Sequence, residues 1–188
     1  MGKRLSNVVG FDDAPFPHEH RGDVTVVGTV CSRARLDGVL RTKVRRDGAN
    51  ATDRMIEAVA TSPFSDHVQA VLLQGIAVAG FNVVDIHRLR RGLGRPVLVV
   101  ARRAPDLTAI RDALRRSGRG WPRKWALIEA AGPMESLRGV FVQRAGLSRG
   151  EAAQLLTATT IHGKIPEPLR MAHLIAGGMT TGVSRGRA

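Results

Sequence analysis

The sequence is poor in several residue types, and each shortage excludes a class of protein. Its only cysteine, Cys31, rules out an internal disulfide and a cysteine cluster for zinc. Aromatic residues make up 4% of the chain and tyrosine is absent, so an extended platform for stacking single strands is not expected. The apolar runs at 68–73 and 96–101 are far shorter than the roughly 18 to 20 residues that span a bilayer. We therefore expect a soluble, cytoplasmic protein that has no membrane partner.

Acidic residues are scarce relative to basic ones. The chain has 16 Asp and Glu against 29 Lys and Arg, which gives a formal net charge of +13. Most of the positive charge is arginine, whose planar guanidinium pairs with two phosphate oxygens at once. This surplus predicts nucleic acid as the partner. Two alternatives stay open, namely a self-repelling soluble surface and an anionic small-molecule ligand.

The pattern of apolar and turn-forming residues predicts a single α/β domain over residues 1–188. The β-branched runs at 23–33 and 39–45 lie on either side of Asp37-Gly38, which is a strong signal for an antiparallel hairpin. A later strand, helix, strand order implies a right-handed parallel crossover, so the predicted sheet is mixed. Strands are predicted at 8–11, 23–33, 39–45, 68–73, 97–101, 125–130 and 139–143. Helices are predicted at 52–59, 83–93, 106–116, 149–157 and 168–176, with a polar loop at 117–124.

Five segments carry a resemblance to a known family. They are VGFDDAPF (9–16), RRDGANAT (45–52), VLLQGIAVAGFNVVDI (71–86), RPVLVVARRAPD (95–106) and IPEPLRMAHLIAGG (165–178). In them the chain resembles an archaeal family of unknown function that is related to endonuclease V and is sometimes called endonuclease dU. The resemblance covers almost the entire chain. It implies a ribonuclease-H-like three-layer fold in which acidic residues at adjoining strand ends hold a divalent metal.

The resemblance also implies roles for individual residues. Endonuclease V cuts beside a deaminated base with carboxylates and Mg²⁺, and its first motif, Gly-Val-Asp, matches Gly10-Phe11-Asp12. This makes Asp12 a metal ligand and Asp13 its auxiliary neighbour. The second acid of the family corresponds to Asp47, and the third corresponds to Gln74, which is a departure because Gln74 carries no charge. A late histidine of that site corresponds to His173, with His162 as the second candidate.

Each of these residues has a plainer interpretation. Asp12 and Asp13 can cap the turn before the following prolines, and Asp47-Gly48 is a common turn dipeptide. Gln74 can offer its carbonyl oxygen to Mg²⁺, but more weakly than a carboxylate would. Asp85 can replace the missing charge if it turns inward, or it can complement the dipole of the helix that follows.

Nucleic-acid contacts are expected around the glycine-rich loop at 75–82. The loop leads into a helix N-terminus, a geometry that presents backbone N–H groups to anions, although glycines also permit tight packing. The candidate contact residues are Phe16, Gly75, Gly80, Phe81, Asn82, Arg102 and Arg103. Further arginines on two neighbouring helices either track phosphates or form a solvated face; they are Arg88, Arg90, Arg91, Arg111, Arg115, Arg116 and Arg119. The two phenylalanines either stack on a base or belong to the core.

Together these expectations describe an endonuclease that uses Mg²⁺ or Mn²⁺ and acts on DNA with deaminated bases, deoxyuridine or deoxyinosine. The main alternative is a nucleic-acid-binding protein that keeps the fold and has lost catalysis through Gln74. A weaker alternative is an enzyme that binds a nucleotide phosphate at the glycine-rich loop.

Overall fold

The fold is built on a seven-stranded mixed sheet, seen in a computed structural model that describes residues 5–118 and 120–184. The strands are β1 (Asn7–Asp13), β2 (Asp23–Ser32), β3 (Arg35–Arg45), β4 (Ala70–Gln74), β5 (Ala77–Val78), β6 (Asn82–Val83), β7 (Val97–Ala101), β8 (Glu135–Leu137) and β9 (Val140–Ala145). The helices are α1 (Ala51–Ala60), α2 (Ile86–Leu93), α3 (Leu107–Arg116), α4 (Trp121–Ala130), α5 (Arg149–Thr159) and α6 (Glu167–Thr181).

The order of strands in the sheet is β3-β2-β1-β4-β7-β9-β8. The first three strands are antiparallel, β1, β4 and β7 are parallel, and β9 returns antiparallel to β7. This confirms the mixed sheet that the sequence predicts. The separate pair of β5 and β6 is a short hairpin inside the glycine-rich loop.

Two apolar cores cover the sheet because its central strands are buried on both faces. Successive side chains of a strand point to opposite faces. Phe11 and Leu73 accordingly belong to one core with Met55 of α1, whereas Leu72 belongs to the other with Leu169 of α6. Such near-continuous apolar runs are typical of parallel strands covered on both sides.

Helix α6 lies directly against β1, and this contact sets the position of its side chains relative to the strand. A Cβ atom on Gly10 would come within 2.7 Å of the Pro168 carbonyl carbon, so only glycine permits the approach. The Thr29 hydroxyl of β2 donates a hydrogen bond to the Pro168 carbonyl oxygen. From this anchor α6 runs beside β1 toward the carboxyl end of the strand.

The structure corrects the predicted boundaries around the first hairpin. The turn between β2 and β3 falls at Arg33 and Ala34, with Arg33 at φ 57°, and Asp37-Gly38 lies inside β3. Gly38 is needed there for packing, since a Cβ atom would collide with the ring of Phe64. The pairing also shifts register between Val30 and Cys31, which no local pattern signals.

A second correction concerns residues 117–130, which were predicted as a polar loop and an edge strand. Residues Trp121–Ala130 form α4, with Pro122 in its first turn, where proline is well tolerated. Trp121, Trp125 and Ile128 recur at helical spacing and pack in one cluster with α3. The strand prediction failed because three apolar residues in a short segment fit either period. Strand β8 was missed, and α2 begins at Ile86 rather than at residue 83.

The contact between Gly10 and α6 generates a stability prediction. Gly10→Ala inserts a methyl group where the Pro168 backbone already lies, so we expect a loss of roughly 1–3 kcal/mol in the free energy of unfolding. Gly150→Ala in α5 is the matched control, because no atom lies within 4 Å of its added Cβ. Urea denaturation of both variants measures the difference. Equal stabilities would contradict the close packing of α6 on β1.

Candidate active site

Polar side chains gather at the carboxyl edge of the parallel strands. Strand β1 ends in Asp12 and Asp13, and β4 ends in Gln74. Phe11 pairs with Leu73 across these parallel strands, so Asp12 and Gln74 occupy the next position of the same register. Both therefore extend toward the face that α6 covers, while Asp13 extends toward the opposite face.

Asp12 is buried and bound to a histidine from the last helix. Its exposed fraction is 5%, its Oδ2 lies 2.9 Å from His173 Nδ1, and its Oδ1 accepts a hydrogen bond from the Asp13 amide at 3.0 Å. Burial, and secondly the Asp13 carboxylate, raise the pKa of Asp12 from 3.8 to about 6, although His173 acts in the opposite direction. The site thus joins residues that are 161 positions apart in the chain.

Asp13 connects the end of β1 to the glycine-rich loop. Its Oδ2 accepts a hydrogen bond of 2.7 Å from the Ala79 amide. Burial raises the pKa of the Asp13 carboxyl as well. Two adjacent carboxylates are therefore partly withdrawn from water with a single histidine beside them, an arrangement that favours binding of a cation.

Asp47 holds the same loop from the end of β3. Its amide donates to the Ala79 carbonyl at 2.9 Å, and its Oδ1 accepts from the Phe81 amide at 2.8 Å. The residue has φ 52°, so the turn interpretation of Asp47-Gly48 is correct and is combined with a contact to the loop. Gly80 has no room for a side chain, because a Cβ atom would collide with Asp47 Oδ1. The remaining carboxylate oxygen, Oδ2, pairs with Arg46 Nε at 3.1 Å.

Lys124 is a residue of this site that the sequence analysis missed. Its ammonium group donates to the backbone carbonyl of Asp47. Burial lowers the pKa of Lys124, and the Asp47 carboxylate opposes that shift. No signal in the sequence identified it, because its segment was predicted to be a loop rather than a helix packed near the end of β3.

Gln74 supplies an unsatisfied oxygen next to Asp12. Its Oε1 is buried and has no hydrogen-bond partner in the structure. In residues 5–118 and 120–184, no three His, Cys, Asp or Glu side chains are grouped closely enough to hold a metal by themselves. Mg²⁺, however, is commonly bound through one or two carboxylates and keeps several waters. Asp12 and Gln74 therefore fit a hard divalent cation, with less negative charge than a three-carboxylate site offers.

Other predicted site residues have different roles. Asp85 caps α2, accepting a hydrogen bond of 2.9 Å from the Arg88 amide, so it does not supply the missing charge. Asn82 is fully buried and its amide bonds the Ala51, Arg45 and Asn50 groups around it, which corrects its assignment to nucleic-acid contact. His162 lies in an exposed loop and does not contact the carboxylates.

The expected basic and aromatic residues are partly at the site. Arg102 and Arg103 are exposed directly after β7, at the same sheet edge as Asp12 and Gln74. Phe16 is half-buried, and the Arg46 guanidinium lies 5.5 Å from the centre of its ring. On the helical pair, Arg111 lies over Trp125 at 5.4 Å, and Arg115 over Trp121 at 5.7 Å. Arg119 lies outside the described residues.

A pocket of about 660 Å³ opens on the far side of the glycine-rich loop. Gly75, Gly80 and Phe81 form one wall, and α3 and α4 form another with Ile110 and Trp125. The loop that binds the Asp13 and Asp47 carboxylates through Ala79 and Phe81 thus also contributes Gly80 and Phe81 to the lining of an apolar pocket. The volume lies within the range of small-molecule sites, roughly 300–1,000 Å³.

The fold is that of the endonuclease V-like α/β proteins. The structure is similar to endonuclease V of Bacillus subtilis, with a TM-score of 0.60, 12% identity, and coverage of 95% of this chain and 82% of the other. It is also similar to Ciona intestinalis endonuclease V in complex with a 24mer DNA containing an inosine followed by a ribo-adenosine, with a TM-score of 0.57, 15% identity, and coverage of 90% and 83%. At these identities the similarity shows the fold alone.

The chain belongs to the endonuclease dU family, whose pattern matches residues 4–180. It is 54% identical to UPF0215 protein DR_A0167 of Deinococcus radiodurans over 98% of this chain and 94% of the relative. A crystal structure of a protein of unknown function from Archaeoglobus fulgidus has a TM-score of 0.86 and 35% identity, covering 93% of this chain and 98% of the other. The family that the five sequence segments indicate is therefore confirmed. None of the helices in the described ranges is long and apolar enough to cross a membrane.

The raised pKa of Asp12 generates a prediction for the metal-free protein. A folded-state pKa of about 6 against 3.8 means that the native state binds more protons than the unfolded state between these values. Stability from this group is therefore present below pH of about 4 and is lost as pH rises through about 6, by about 3 kcal/mol at most. Urea denaturation in chelator, compared with Asp12→Asn, isolates this slope. The exposed Asp66→Asn is the control, and a slope that survives in Asp12→Asn would contradict the assignment.

The unpaired oxygen of Gln74 generates a second prediction. Gln74→Asp places a negative ligand beside Asp12, so the affinity for Mg²⁺ should rise by roughly tenfold, equivalent to about 1.4 kcal/mol. Calorimetric titration measures it without any nucleic acid. Gln154→Asp adds the same charge at an exposed position of α5 and should leave the affinity unchanged. An unchanged affinity in Gln74→Asp would place the metal away from β4.

Proposed function

We propose that this protein is a metal-dependent endonuclease that cuts DNA beside a deaminated base, deoxyuridine or deoxyinosine. One observation carries the proposal: Asp12 is buried at the end of β1, bound to His173, and occupies the register position next to Gln74, whose Oε1 is buried and unpaired. This group lies on an endonuclease V-like fold in a chain of net charge +13. The net positive charge attracts a polyanion, and the exposed Arg102 and Arg103 place part of that charge at the sheet edge that has the ligands for a hard cation.

Phosphodiester hydrolysis needs an aligned water and neutralised charge on the attacking and leaving oxygens. A bound Mg²⁺ or Mn²⁺ supplies that neutralisation. Asp12 and Gln74 would hold the ion, and Asp47, whose carboxylate is bonded to the Phe81 amide and Arg46, would add negative charge from the end of β3. Because Asp12 engages His173 at Nδ1, the Nε2 atom of the half-exposed imidazole is the one that can exchange a proton with the substrate or solvent.

The surroundings of the site support DNA as the substrate. Arg102 and Arg103 are exposed at the sheet edge, and Arg111 and Arg115 are exposed on α3, where they can contact phosphates. An enzyme that acts beside a damaged base commonly takes the base out of the stack into a pocket. The 660 Å³ pocket behind the glycine-rich loop has apolar walls that include Phe81 and Trp125, and it is large enough for a purine. The DNA carried by the Ciona intestinalis endonuclease V structure is consistent with this substrate class.

A second candidate function is favoured by Gln74 itself. Because its amide is neutral, the site has one negative charge fewer than a site with three carboxylates. In addition, the carboxylate of Asp47 is already bonded to Arg46 and to the Phe81 amide. A protein of this kind can bind deaminated DNA without cutting it. The two candidates differ in a single observable, which is strand scission that requires metal.

A cleavage assay tests the proposed function. Duplexes carrying uracil, hypoxanthine or no damaged base are incubated with Mg²⁺, Mn²⁺ or chelator, and nicking is expected only with a damaged base and metal. Asp12→Asn should lower single-turnover cleavage by roughly 10²-fold or more, because it removes a charged ligand and weakens the hold on His173. Asp66→Asn, at an exposed site, should cut normally. If damaged duplexes are bound but are not nicked under any condition, the nuclease proposal is wrong and the protein is a nucleic-acid-binding protein.

A further inference from the structure

A second unpaired amide oxygen lies in the wall of the pocket. Gln143 of β9 is 5% exposed and lines the pocket together with Gly75, Phe81 and Trp125. Its Nε2 donates a hydrogen bond of 2.6 Å to the carbonyl oxygen of Gly132, two residues after the end of α4. Its Oε1 is buried and has no partner in the structure.

The orientation of this amide follows from its one bond. A backbone carbonyl can only accept, so the nitrogen of Gln143 must face Gly132 and the oxygen must be the atom left over. A buried acceptor without a donor costs roughly 1–3 kcal/mol. A ligand that donates a hydrogen bond to such an acceptor removes this cost. A ligand without the donor leaves the acceptor unpaired and therefore binds less tightly.

The bases that deamination produces differ from their parents in this respect. Cytosine has a lone pair at N3 where uracil has N3–H, and adenine has a lone pair at N1 where hypoxanthine has N1–H. An unpaired acceptor aligned with this ring position therefore favours the deaminated base, which donates there, over the parent base, whose lone pair it repels. Thymine and guanine also carry a ring N–H, but in a duplex they stay in their Watson–Crick pairs, whereas a mismatched base is extruded at lower cost.

We propose that Gln143 is a specificity-determining residue whose Oε1 accepts a hydrogen bond from the ring N–H of a deaminated nucleobase held in the pocket. This inference rests on the proposed function, since it places the extruded base behind the glycine-rich loop. The contacts around the pocket fit a base. Trp125 and Phe81 offer apolar ring surfaces, and the loop that forms one wall is bonded on its other side to Asp13 and Asp47.

Binding of free nucleosides in chelator tests the proposal without metal, phosphate or cleavage. The indole N–H signal of Trp125, in ¹⁵N-labelled protein carrying Trp121→Phe, reports occupancy by 2′-deoxyuridine, 2′-deoxycytidine, 2′-deoxyinosine or 2′-deoxyadenosine. We expect deoxyuridine to bind roughly tenfold more tightly than deoxycytidine, and deoxyinosine than deoxyadenosine, as the loss of one buried hydrogen bond implies. Gln143→Met keeps the length of the side chain without the acceptor, and should bring each ratio within about twofold.

The matched control is Gln154→Met, the same change at an exposed position of α5 outside the pocket, which should keep both ratios. Equal affinities of the wild-type protein for parent and deaminated nucleosides would overturn the proposal, and this comparison does not depend on whether Gln143→Met folds. Unchanged ratios in a folded Gln143→Met would overturn it as well. If the protein cuts DNA but its nucleoside binding shows no base preference, only this inference is wrong. If it shows the base preference but does not nick DNA, only the proposed nuclease function is wrong.

Discussion

The burial of two adjacent carboxylates at the end of β1 is the constraint on which the rest of the site depends. Alternation along the strand sends Asp12 and Asp13 to opposite faces, so each needs a different partner. Asp12 obtains His173 from α6, and Asp13 obtains the amide of Ala79 from the glycine-rich loop. The close approach of α6 at Gly10 brings that histidine within reach. The residual cost of burial is what raises the pKa of Asp12 to about 6 and what a bound cation would relieve.

The glycine-rich loop connects the two carboxylates to the pocket. Its residues 79–81 bond Asp13 and Asp47, while Gly75, Gly80 and Phe81 line the pocket behind them. Gly80 permits this double use, since any side chain would displace the Asp47 carboxylate. The loop that lines the pocket is therefore connected to each of the two carboxylates by one hydrogen bond.

Two glutamine oxygens, those of Gln74 and Gln143, are buried without a partner near the site. They lie on opposite faces of the sheet, because Gln143 pairs with Val99 of the first core and Gln74 pairs with Val100 of the second. Gln74 lies on the face where we propose that the cation binds, and Gln143 lies on the face of the proposed base pocket. Buried polar groups normally bond to protein or ordered water, so two unpaired oxygens at one end of the sheet are suited to receive donors or a cation from a ligand. The family relationship supports the fold, whereas the argument about ligands depends on the contacts of these two glutamines.

The sequence by itself determined the elements whose signals are local. The buried central strands and the Gly10-Phe11-Asp12 motif follow from neighbouring residues, as does the basic charge that predicts a polyanion. Only the tertiary structure decided that residues 121–130 are a helix, that Lys124 reaches the Asp47 carbonyl, and that Gln143 lines a pocket with a free acceptor. These features depend on contacts between distant segments, and whether a polar atom is bonded or unpaired is a property of the packed molecule that no local pattern contains.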